Sequence, residues 1–111
     1  MEIAEQHAGE ITIVEVKGRI DSNTAKAFEE RLASLIKAGR ARLVVDLRHI
    51  IYISSAGFRA LLVAGRLAEK TNGTLALCSL SAEAQRLFDL GAFTDLFVIY
   101  RSRDEGLAKS S

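Results

Sequence analysis

Apolar positions change their period several times along the chain, and each change marks an element. Residues up to Ile3 and the run Ile11-Thr12-Ile13-Val14-Glu15-Val16 are β-branched and partly alternating, with His7-Ala8-Gly9-Glu10 as a turn between them. This predicts a β-hairpin. After Gly18-Arg19-Ile20-Asp21-Ser22-Asn23, the residues Phe28, Leu32, Leu35 and Ile36 recur at helical spacing with Glu29, Glu30 and Lys37 outward. The pattern predicts an amphipathic helix capped by Asp21, Ser22 or Asn23 and stopped by a left-handed Gly39. Leu43-Val44-Val45-Asp46-Leu47 is a nearly continuous apolar run, as in strands covered on both faces, and it leads through Ile50-Ile51-Tyr52-Ile53 to Ser54 and Ser55. A second helix follows, with Phe58, Leu61, Leu62, Gly65 and Ala68 on a packing stripe and Arg59, Val63, Arg66 and Lys70 facing outward.

Thr71-Asn72-Gly73 is a helix stop, and Thr74 to Cys78 reads as another strand. Ser81 then caps a short helix carrying Ala84, Leu87 and Phe88 that ends at Gly91, and Leu96-Phe97-Val98-Ile99-Tyr100 is the last strand. The charged stretch from Arg101 to Ser111 is expected to be a frayed helix or a disordered tail. The order β-β-α-β-α-β-α-β predicts an α/β fold with a mixed sheet, antiparallel only in its initial hairpin. With 111 residues the chain fits a single domain, 1–111.

Composition narrows the function. Hydrophobic residues make up 49% and charged residues 26%, with a mean hydropathy of +0.14, as in a well-buried globular protein. A net charge of +1, no Trp and only 6% aromatics argue against a nucleic-acid partner. Met1-Glu2-Ile3-Ala4-Glu5 lacks the features of a signal peptide, and no run approaches the ~18 apolar residues of a membrane span. A cytoplasmic protein without membrane association is expected. Cys78 lies in the apolar run Leu75-Ala76-Leu77-Cys78 and reads as a buried structural thiol. His7 and His49 read as exposed loop residues, so no metal and no cofactor are expected.

The segment with most chemical content is Tyr52-Ile53-Ser54-Ser55-Ala56-Gly57-Phe58-Arg59, where a strand gives way to a helix. A helix start offers unpaired N–H groups and the positive end of the helix dipole, so a phosphate placed there is tolerated or stabilised. Such a phosphate adds about −1.5 to −2 charge and three strong acceptors, enough to reverse the electrostatics of a docked surface. On the residues alone, Ser54 and Ser55 read first as plain helix caps, since serine caps are common, and only second as a phosphate site. Gly57 either admits a partner closely or permits tight packing of helix on sheet.

The ordered set Gly18-Arg19-Ile20-Asp21, Leu43-Val44-Val45-Asp46-Leu47, Tyr52 to Phe58, Gly73-Thr74-Leu75 and Arg86-Leu87-Phe88 resembles STAS domains, specifically bacterial anti-sigma factor antagonists. In that family an Asp-Ser-Ser/Thr-Gly-Leu-Gly-like segment carries a phosphorylated serine directly after the aspartate, the position held here by Ser55. Three departures from the pattern matter: Ser54 replaces the acidic residue, Ala56 the second hydroxyl residue and Arg59 a glycine. Ser54 is thereby a second choice of acceptor, and Arg59, one turn after Ser55, is placed to pair with a phosphate there.

The resemblance implies partner switching. The unphosphorylated chain binds an anti-sigma factor that is an ATPase-like serine kinase, phosphorylation ends the binding, and a serine phosphatase restores it. It also implies a contact face made of Ser54, Ser55, Ala56, Gly57, Arg59, Val63 and Arg66, flanked by Arg19, Asp21, Ser22 and Asn23. The chain is then a substrate and ligand with no catalytic residues. The alternative is a STAS scaffold or small-ligand-sensing module that is never phosphorylated. A hydrolase built on Ser55, His49 and Asp46 is disfavoured, since no Gly-x-Ser-x-Gly elbow is present and Asp46 and His49 sit three residues apart near a strand end.

Overall fold

The computed structural model describes residues 1–91 and 96–110. The chain runs β1 (Glu2–Ala8), β2 (Ile11–Ile20), α1 (Ala25–Lys37), β3 (Arg42–Ile53), α2 (Ser55–Lys70), β4 (Thr74–Cys78), α3 (Ala82–Leu90), β5 (Val98–Tyr100) and α4 (Arg103–Ser110). The mixed α/β fold read from the sequence is present. β1 and β2 form the antiparallel hairpin, with Ala8 opposite Ile11, so that His7 and Ala8 belong to the strand and Gly9-Glu10 alone make the turn. The five strands lie in the order β1-β2-β3-β4-β5, and every pairing after the first is parallel.

Successive parallel strands added in one direction through right-handed crossovers carry their helices to one face of the sheet. That face holds the main core: Phe28 and Leu32 of α1, Phe58, Leu61 and Ala64 of α2, and Phe88 of α3 close over Val14, Val16, Val45 and Leu77. The rings of Phe58 and Phe88 meet edge to face, 4.5 Å between centroids. On α2 the buried stripe runs through Phe58, Ala60, Leu61, Ala64 and Ala68, whereas Leu62 and Gly65, expected to pack, are only half-buried. The outward stripe Arg59, Val63, Arg66 and Lys70 is exposed as expected.

β3 keeps one face to this core despite its length because its register shifts twice. Leu43, Val45 and Leu47 point inward with period 2, and the next inward residues are Ile50 and Ile53, each three residues on. An extra residue in a strand flips the alternation, so two irregularities restore the apolar face each time. Ile51 is the residue left without a register partner at the second one, and it is 66% exposed.

Three further boundaries differ from the sequence reading. α1 begins at Ala25 with Thr24 as N-cap and no side-chain cap bond, not at Asp21, Ser22 or Asn23. Asp21 instead closes the preceding turn: its Oδ1 accepts from the Asn23 N–H at 2.9 Å, and its carbonyl accepts from the Ala25 N–H at 2.8 Å. Leu96 and Phe97 precede β5, which is three residues long. The charged tail forms α4 over residues 103–110, while Ser111 lies outside the described residues. By contrast Gly39 ends α1 as read, with φ of +91°: its N–H bonds the Ile36 carbonyl and the Arg40 N–H bonds that of Leu35. Ser81 caps α3 by accepting from the Ala84 N–H at 3.1 Å.

α4 covers the opposite face of the sheet, where Leu107 and Tyr100 pack on Ile11, Val44 and Cys78. Burial of Cys78 pushes its thiol pKa up, which keeps it protonated and inert. Among the described residues, no helix is long and apolar enough to cross a membrane. Nor, among them, does any group of three His, Cys, Asp or Glu side chains converge as metal ligands would.

Candidate functional site

Parallel strands end on the same edge of a sheet, so the loops that follow them emerge side by side. Ile20 and Ile53, the last residues of β2 and β3, are register partners, and the Ser54 N–H donates to the Ile20 carbonyl at 2.8 Å. The loop from Arg19 to Asn23 is thereby tied to the start of α2. These two segments, 34 residues apart between Ile20 and Ser54, form one edge.

Within that edge the two serines have different jobs. Ser54 is extended, with φ −88° and ψ 174°, and its Oγ accepts from the Gly57 N–H at 3.3 Å, satisfying one orphan donor of the first turn. Ser55 is the first helical residue and is exposed. No acidic residue lies in the first turn of α2, so nothing there opposes a negative group at Ser55.

Of the two readings open for Gly57, the structure shows the tight packing of helix on sheet. Gly57 is buried, and a Cβ at that position would meet Ile53 Cγ1 at 2.7 Å and Ile20 Cγ2 at 2.8 Å. The start of α2 can lie close on the ends of β2 and β3 only without a side chain there. Ala56 is half-buried, while Arg59, Val63 and Arg66 are exposed, Val63 to 40%. Along the loop, Arg19, Ser22 and Asn23 are exposed and Asp21 is half-buried. The Arg19 guanidinium lies over the Tyr52 ring, 4.6 Å from its centroid, and 3.9 Å from Asp21 Oδ2.

Tyr52, 37% exposed, was missed as a member of this edge, although an aromatic flanked by isoleucines at a strand end carries the signal of a half-exposed platform. A second omission lies on the α4 face. Arg103, from the stretch read as a tail, donates to Asp46 Oδ2 at 2.9 Å, to Glu15 Oε2 at 2.7 Å and to Gln6 Oε1 at 2.9 Å. Asp46 is 4% exposed and also accepts from the Arg48 N–H. The hydrogen bond from Arg103 holds the Glu15 carboxyl below its usual range, against an opposing effect of burial. Burial alone lowers the Arg103 pKa, but its bonds to Glu15 and Asp46 outweigh this and raise it.

The hydrolytic arrangement does not assemble. Asp46 is engaged by Arg103, and it lies seven residue steps before Ile53, a span of about 23 Å along β3 before Ser55 begins. His7 and His49 are exposed but sit on β1 and β3, not in loops, and His7 Nδ1 lies 3.1 Å from Thr12 Oγ1.

The STAS domain family profile matches residues 2–106. BtrV of Bordetella bronchiseptica, classed with the anti-sigma factor antagonists, is 32% identical over 93 residues, covering 84% of this chain and 80% of its own. The anti-sigma-B factor antagonist of Bacillus subtilis is 30% identical over 94 residues, 85% of each chain. In shape, the crystal structure of a Thermotoga maritima protein of the same class superposes with a TM-score of 0.90 over 97% of this chain and 93% of that one. At 15% identity it speaks for the fold alone. With its hairpin, its parallel strands and the paired loops at their ends, the chain belongs to the STAS domain family.

Proposed function

We propose that this chain is an anti-sigma factor antagonist acting as a single cytoplasmic domain by partner switching. Unphosphorylated, it binds an anti-sigma factor of the ATPase-like serine kinase type. Phosphorylation at Ser55 ends that binding, and a serine phosphatase restores it. The chain serves as ligand and substrate and performs no catalysis.

The observation that carries this reading is the division of labour between Ser54 and Ser55. A kinase needs an exposed hydroxyl whose modification does not unfold the product. Ser55 is exposed and its side chain has no capping role, whereas the Ser54 oxygen is committed to the Gly57 N–H. A phosphate on Ser55 would sit at the positive end of α2 and leave the cap intact. The names of the relatives support the same role.

The test is the affinity for each ATPase-like anti-sigma factor kinase of the source genome, measured with the unmodified protein, the phosphorylated protein and Ser55→Ala. Ser55→Ala is expected to bind like the wild type and to accept no phosphate. The phosphorylated protein should bind about 100-fold more weakly, a repulsion of about 2.7 kcal/mol. Equal affinity of the two forms would reject the switch.

A further inference from the structure

Ser55, Arg59, Val63, Arg66 and Lys70 form one ridge. At about 100° and 1.5 Å per residue, they fall within an arc of about 80° and extend about 22 Å along α2. All five are exposed. The ridge carries three cations, one half-exposed valine and no carboxylate, and Glu69, the only acid of α2, lies about 40° to one side in the last turn. Among the described residues, none of Arg59, Arg66 and Lys70 is within ion-pair distance of an acid, while Arg31 and Arg42 each hold one and Arg103 holds two.

We infer that this ridge docks on an acidic surface of a protein partner, whose carboxylates face Arg59 and Arg66 around an apolar spot that receives Val63. The inference deepens the partner-switching reading and rests on it. It also supplies the physical basis of the switch. A phosphate of about −1.5 to −2 at Ser55 lowers the ridge from three positive charges to about one. Because Arg59 stands four residues after Ser55 on the same face, the phosphate also takes Arg59 in cis, withdrawing its fork of donors from the partner. Carboxylates on the partner then meet a negative group where they had met an arginine, and like charges at an interface are costly. Loss of binding therefore needs no change of fold.

The test uses the full chain and each purified anti-sigma factor kinase of the source genome. Affinity is measured between 50 and 300 mM salt (about 14 to 6 Å of screening length) for wild type, Arg59→Glu, Arg66→Glu and Arg59→Lys. Wild-type affinity should fall at least about 5-fold across that range. Each charge reversal should weaken binding about 10-fold or more, with Arg59→Lys close to wild type. Circular dichroism and thermal melting check that the variants are folded. Duplex DNA and phosphatidylglycerol vesicles serve as comparison probes. If phosphorylation releases the kinase but reversal at both arginines and added salt leave affinity unchanged, the acidic docking surface is wrong and the switch stands. Binding to DNA or vesicles as tight as to the kinase would make the ridge a general polyanion surface and overturn the inference. If the wild type binds no kinase, the underlying reading fails and takes this one with it.

Discussion

At residue scale, the start of α2 separates three neighbouring positions by what each oxygen or hydrogen touches. Ser54 holds the helix start through the Gly57 N–H, Ser55 faces solvent, and Gly57 lets the helix lie on Ile20 and Ile53. Replacing a serine N-cap by alanine costs about 1 kcal/mol, and exposed first-turn positions cost much less. Urea denaturation should therefore show Ser54→Ala destabilised by about 1 kcal/mol and Ser55→Ala within about 0.5 kcal/mol of wild type. The reverse order would assign the cap to the wrong serine. Phosphate incorporation should have the opposite dependence, lost in Ser55→Ala and retained in Ser54→Ala.

At the scale of elements, α4 depends on its first residue. The helix buries little apolar surface, with only Gly106 fully enclosed against Val44 and Tyr100 and with Leu107 packed beside them. Arg103 clips it to Asp46 and Glu15 of the central strands. Arg103→Ala leaves the Asp46 carboxylate buried with the Arg48 N–H as its remaining donor, and a loss of about 2 kcal/mol is expected in urea denaturation. Amide exchange should quicken first in α4. The contribution from Glu15 has a definite sign with pH. Its folded pKa lies below the usual 4.5, so its stabilisation is complete above that value and disappears as pH falls through the lowered one. The stability gap between wild type and Arg103→Ala should shrink when denaturation is repeated from pH 6 down to pH 3; a gap that widens toward acid would contradict the assignment.

For the whole molecule, the edge that carries Ser55 is only as well placed as the core beneath it. Phe88 of α3 is fully buried and meets Phe58 of α2 and Phe97 before β5, so one ring ties the last third of the chain to the helix that begins at Ser55. Phe88→Ala should cost about 3–5 kcal/mol, and at about 4–8 °C per kcal/mol its melting temperature should fall by more than about 10 °C. A fall of only a few degrees in calorimetry would show that the ring is dispensable.

Much of this architecture was legible because periodicity and caps are local. The hairpin, the helices of Phe28 and Phe58, the stop at Gly39 and the cap at Ser81 follow from which residue types repeat at which spacing, and no distant part of the chain alters them. Ser54 and Ser55 were visible as a helix start for the same reason. What the amino-acid order left open are the features made by residues far apart. Gly57 had two readings until Ile20, 37 positions earlier, was found against it. The charged stretch after Tyr100 looked like a tail because its partners, Asp46 and Glu15, lie 57 and 88 positions away from Arg103. Local sequence thus determined the elements and the exposed serine. The tertiary structure alone decided which glycine is packing, which arginine holds a helix, and that two distant loops share the edge on which Ser55 stands.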